Sequence, residues 1–351
     1  MQHGFAVGWK PSTCRAPEVT LTEYQIMAGV SPAIFMTFSY YIDLLAQVLF
    51  PMALLIAAGA IWRTRLDEAG IRSVRGYITT VVINLFAPAL LFAAAASAEV
   101  NTNLLSVPLL EACGMLLTGL PLYWLLFKSR IGAALSSGTR AGLLLCGTFG
   151  NVLFMGYPLL THLYGEAGGR YAAFADMAAT TPLLWSAGVW IAVRLGRQTE
   201  DTGHPLKQLF TLPPVWAFFV GVLVGLMPIN SQPLIHAAHF IGQPTVPVML
   251  LMLGLSIPWK RLAPSTPVLL TVAFKLVLLP LAAFVLAKVL YDPISNAQRA
   301  AVLEAGVPTM LMAVGLADRY QLDVEPVALT VAWSTVLFLL TLPIWLMLIS
   351  A

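Results

Sequence analysis

The stretch Arg140-Ala-Gly-Leu-Leu-Leu-Cys-Gly-Thr-Phe-Gly150-Asn151-Val-Leu-Phe-Met-Gly156-Tyr-Pro158 decides how the chain folds. Arg140 is its only charge, so the run is apolar enough to enter a hydrocarbon core. Yet Gly150, Asn151, Gly156 and Pro158 stand where a spanning helix needs helix formers. Non-helical backbone at membrane depth is tolerated only when buried in protein or lining a wet cavity. A second stretch has the same character, with Glu304-Ala305-Gly306-Val307-Pro308-Thr309 following Arg299. Pro308 cannot donate to the carbonyl of Glu304, so that carbonyl must find another partner. At about 1.5 Å per residue, Gly150 lies about 15 Å from Arg140 and Pro308 about as far from Arg299, near the midplane of a core of about 30 Å.

The rest of the chain supplies the membrane. Of 351 residues 59% are hydrophobic and only 10% charged, with a mean hydropathy of +0.83, too little polar side chain to face water all round. The apolar runs predict ten spans, over about 41–62, 77–98, 105–127, 141–161, 172–193, 213–229, 234–257, 267–289, 299–317 and 327–349. Thirteen Lys and Arg fall in the odd-numbered connections, against Arg170, Lys288 and Arg299 near the even ones. The positive-inside rule therefore puts the odd loops in the cytoplasm and both termini outside. Residues 1–39 read as an N-terminal tail without a signal-peptide pattern. The polar run after the fifth span gives a cytoplasmic linker over 196–212, between a first five-helix repeat at 40–195 and a second at 213–351. An odd number of spans per half inverts the second half, so the expected fold is all-α with two inverted five-helix repeats. Pro88 and Pro247 in the second and seventh spans, and Pro121 and Pro280 in the third and eighth, agree with that pairing.

Two interrupted helices meeting at the midplane from opposite faces are what a carrier needs at its binding site. Each break starts a half-helix whose unpaired N–H groups attract an anion without a buried Lys or Arg. Gly150, Asn151, Pro308 and Thr309 are thus the candidate substrate-binding residues, with Asn84 of the second span as a candidate on the facing side. The competing reading of Asn151 is that it only recaps the broken backbone. Glu304, one turn from Pro308, is the candidate for a coupling proton or sodium ion, because intramembrane charge is costly and functional by default. Its competing role is a structural pair with another helix.

The run from Gly150-Asn151 through Gly156-Tyr-Pro158 to Tyr164-Gly165 resembles the fourth-span signature of the auxin efflux carrier family. Met252-Leu-Gly254-Leu-Ser256 and the run from Pro308 through Arg319-Tyr320-Gln-Leu-Asp323 to Pro326 resemble that family's seventh span and its ninth span with the following loop. The resemblance covers most of residues 41–350. It implies that the fourth and ninth helices cross at their breaks, that helices 1, 2, 6 and 7 form a scaffold, and that the other six move. It further implies carboxylate substrates, as in bacterial relatives, and a homodimer through the scaffold. The family's fourth-helix Asn falls on Asn151 and its ninth-helix Pro on Pro308. Plant members carry Pro where this chain has Gly150 and an Asn where it has Pro213 and Pro214, which argues against auxin itself.

Lys275 reads as a structural partner for a carboxylate, and Glu111 and Asp176 as hydrated residues near outer helix ends. His236 and His239 have the spacing of a metal pair but no carboxylate beside them, and the three cysteines show no metal spacing, so no metal or other cofactor is expected. The basic residues are confined to short loops, so nucleic acid is not an expected partner. The sequence has no H-E-x-x-H, no G-x-S-x-G turn and no facing Asp pair, so an enzyme is not expected. The expected function is secondary transport of a small organic anion, a carboxylate, across the bacterial inner membrane by alternating access. A channel or a carrier-like sensor is the alternative.

Overall fold

The computed structural model describes residues 41–196, 205–228, 230–257, 259 and 262–350. The expected tail over 1–39 and residues 197–204 of the expected linker lie outside them. Among the described residues the chain is helical throughout, without a named β-strand. Six helices among the described residues are long and apolar enough to cross a membrane, namely α1 (Tyr41–Arg63), α2 (Glu68–Ala96), α3 (Thr102–Lys128), α8 (Gln232–Ser256), α9 (Thr266–Leu290) and α12 (Val324–Ser350). Between them lie α4 (Ser137–Thr148), α5 (Val152–Tyr164), α6 (166–195) and α7 (Pro213–Leu226), then α10 (Asn296–Ala305) and α11 (Met312–Arg319). The fourth and ninth expected spans are each broken in two, as their glycines and prolines require.

Local chemistry fixes the helix ends. Asp67 accepts from the Gly70 amide at 2.7 Å, which starts α2 nine residues before the expected 77. The extra turns carry Arg72 and Arg75 and are amphipathic, so a search for apolar runs passes over them. Asn101 caps α3, Ser136 caps α4, and Ser295 with Gln298 forms a capping box on α10. Gly165, at φ 62°, makes the one-residue turn between α5 and α6 that a residue with a Cβ would strain.

Packing divides the helices into two groups. In one, α1 packs on the second half of α8, and α2 packs on α7 and on the first half of α8. A Cβ on Gly59 would fall 2.0 Å from the Leu251 carbonyl, and one on Gly254 would fall 1.9 Å from that of Ile56, so the α1–α8 contact is backbone on backbone. In the other group, α3 and α12 each pack on α4, α9 and α10, while α6 joins α3, α5 and α10. Large apolar side chains such as Phe50, Leu54, Trp216, Leu223 and Phe240 face outward, the surface expected of a protein whose solvent is lipid.

Hydrogen bonds tie several connections that hold basic residues to one another in two sets. Asp323 accepts from Ser136 and, at 2.6 Å, from the Thr139 hydroxyl, and Ser137 donates to the Leu195 carbonyl at 3.3 Å. Tyr320 donates to Gln208 at 3.1 Å, and Arg63 donates to the Leu255 carbonyl at 2.8 Å.

Candidate functional site

The two unwound segments are bonded to each other. Gly150 and Thr309 form an isolated antiparallel bridge, in which the Asn151 amide donates to the Pro308 carbonyl at 2.7 Å and the Met310 amide to the Phe149 carbonyl at 3.1 Å. Each break thereby satisfies backbone groups that the other exposes, which is how irregular backbone persists deep in a helical bundle. The Glu304 carbonyl, which Pro308 cannot reach as a donor, accepts from the Val307 amide at 3.2 Å. Past the crossing the first bond of α5 is from Met155 N to Asn151 O, at 2.9 Å. The amides of Val152, Leu153 and Phe154 precede it and are the orphan donors of that helix start.

A partly open cavity lies on one side of the crossing. Gly150 and Asn151 line it together with Leu91 of α2, Asp176 and Trp185 of α6, Pro214 of α7 and Met310. Asn151 is 5% exposed, and its side-chain amide makes no hydrogen bond among the described residues. The walls come from both packing groups, so relative movement of the groups changes the cavity.

The other candidates are placed differently. Thr309 is buried behind the bridge, where its hydroxyl donates to the Cys146 carbonyl at 2.9 Å and its amide to the Ser334 hydroxyl at 3.1 Å. It fastens the crossing and does not line the cavity. Asn84 is exposed and donates to the Thr80 carbonyl at 2.7 Å; Ile83 and Ala87, its neighbours on α2, are the ones that line the cavity. Pro308 supplies the carbonyl that holds Asn151 in place.

Behind the crossing sits a cluster of ionisable groups. Lys275 is fully buried and donates to the Ala305 carbonyl at 2.5 Å, with Glu111 and Glu304 within electrostatic reach. Glu111 and Glu304 are also fully buried, and none of their four carboxyl oxygens has a hydrogen-bond partner among the described residues. A Cβ on Gly156 would fall 2.0 Å from Glu304 Oε2, and one on Gly150 3.0 Å from Lys275 Nζ, so both glycines leave room for these side chains. Hydration does not explain Glu111, which α9 and α10 cover on the inner face of α3. Sequence reasoning missed this because burial of one helix face is decided by its neighbours. His236 and His239 are exposed, and no group of metal-ligating residues occurs among the described residues.

Similarity to known proteins agrees with this architecture. The model of a family described as membrane transport protein matches residues 71–200 and 202–346. An uncharacterized transporter of Methanothermobacter thermautotrophicus is 29% identical over 271 residues, which is 76% of this chain and 87% of that protein. Another, from Methanocaldococcus jannaschii, is 26% identical over 212 residues, 58% of this chain and 67% of its own length.

Proposed function

The chain belongs to the membrane transport protein family, the auxin efflux carriers, and is a multi-pass integral membrane protein; on that premise we propose that it is a secondary carrier for a small organic acid bound by its carboxylate. The observation that carries this reading is Asn151, a buried amide without a hydrogen-bond partner among the described residues, at a helix start that faces a cavity between two packing groups. The orphan amides of α5 and the side chain of Asn151 point positive charge at the same space, which suits a carboxylate.

Ten spans in two inverted repeats account for the packing. The contact of α1 with α8 and that of α2 with α7 exchange under such a repeat, and the α4–α5 break pairs with the α10–α11 break. In this reading α1, α2, α7 and α8 stay fixed and the other helices rock against them, exposing the cavity to either side in turn. Glu304 carries the coupling proton or sodium ion, supported by its burial without a hydrogen-bond partner among the described residues, one turn before Pro308.

A thermal-shift screen of the purified protein against mono- and dicarboxylates tests the site. A bound acid at about 100 times its Kd stabilises by about 2.7 kcal/mol. Asn151→Ala removes that stabilisation while the unliganded melting temperature stays close to wild type. A variant that still binds the acid at full strength would sink the reading.

A further inference from the structure

Among the described residues the cavity is lined by an acid and by no base. Asp176 begins a π-helical turn, Asp176–Thr180 in α6, that packs against the Val152–Gly156 turn of α5 and lines the same cavity as Asn151. No Lys, Arg or His lines the cavity among the described residues. Lys275 is committed to the Ala305 carbonyl and to Glu111 and Glu304. Asp176 forms no salt bridge among the described residues; the Thr181 hydroxyl is its hydrogen-bonding neighbour, and the buried Thr180 hydroxyl beside it has no partner.

A substrate with only a carboxylate would therefore meet one favourable end, at Asn151, and one like charge, at Asp176. Like charges repel more strongly in a low-dielectric cavity than in water. A positive group on the substrate makes Asp176 a partner instead. We propose that the carried acid is a zwitterion, a small α-amino acid with an apolar side chain, its carboxylate at Asn151 and the start of α5 and its ammonium at Asp176. The proposal rests on the carboxylate reading above and narrows it. Thr180 and Thr181 supply acceptors for the remaining ammonium protons, and Leu91, Phe154, Trp185 and Met310 give the side chain an apolar wall.

The test compares three ligands of one skeleton on the purified full chain, L-leucine, 4-methylpentanoate without the amine and 3-methylbutylamine without the carboxylate. Leucine is expected to bind at least about tenfold more tightly than either part. Asp176→Asn should erase the gap between leucine and 4-methylpentanoate while leaving the acid bound. If wild type holds the acid as tightly as leucine, the zwitterion proposal falls and the carboxylate reading stands. If the amine binds as tightly as leucine, both fall. If none of alanine, valine, leucine, methionine and phenylalanine stabilises wild type at millimolar concentration, the proposal is overturned, and the carboxylate screen decides the broader reading separately. The wild-type comparison stands even if the variant fails to fold.

Discussion

Glu304 and Glu111 share one lysine inside the bundle, and two carboxylates facing one ammonium leave one negative charge over. Burial makes that excess costly, and in the proposed function a bound proton or cation offsets it. Glu304 is the group placed to transmit occupancy to the cavity, because its carboxyl lies against the backbone of Gly156, on the turn whose start is Asn151. Replacing it with the neutral isostere fixes the cluster in its uncharged form. In proteoliposomes Glu304→Gln is expected to lose accumulation driven by a proton or sodium gradient while keeping exchange of labelled for unlabelled substrate. Unchanged gradient-driven accumulation would remove Glu304 from the coupling role and leave it a structural pair for Lys275.

At the scale of helices, prolines and widened turns go together. In five of the six π-helical turns among the described residues a proline stands two residues past the end, at Pro51, Pro88, Pro158, Pro182 and Pro280. A proline removes the bond to the carbonyl four residues back and crowds it with its ring, and the wider turn relieves the crowding. For Pro280 that carbonyl is Leu276, which accepts from the Trp345 indole of α12 at 2.9 Å. Trp345→Phe strands a buried carbonyl and is expected to cost about 1–3 kcal/mol. In a Pro280→Ala background the new amide can serve Leu276, so the same change should cost clearly less, a coupling that denaturant titrations of the four proteins would measure. Equal costs in both backgrounds would mean that the indole bond is incidental. The breaks themselves were legible because Gly150, Asn151 and Pro308 act through backbone rules that need no neighbours. Thr309 and Asn84 were not, since only the packed structure shows that one hydroxyl is taken by Cys146 and that the other side chain turns outward. Glu111 was misplaced for the same reason, as a residue whose burial depends on helices remote in sequence.

For the molecule as a whole, the arrangement of charge and the arrangement of loops make one argument. The end where Asp323 meets Ser136 and Thr139, and where Tyr320 meets Gln208, is built from the connections that hold most of the Lys and Arg. By the positive-inside rule the proposed orientation keeps this basic end on the cytoplasmic side. The proposed orientation would send α4 in from the cytoplasm and α10 in from outside, so that the crossing would be reached from both faces by half-helices of opposite direction. Cysteine labelling in intact cells checks this, on a chain whose own cysteines are replaced. Asn101→Cys and Asn230→Cys should react with a membrane-impermeant maleimide, whereas Thr64→Cys and Ser265→Cys should react only after permeabilisation. The reverse pattern would turn the molecule over in the membrane, and the cavity would then have to be filled from the other side in each step of the cycle. Labelling of all four without permeabilisation would break the alternation of loops on which the two inverted repeats depend.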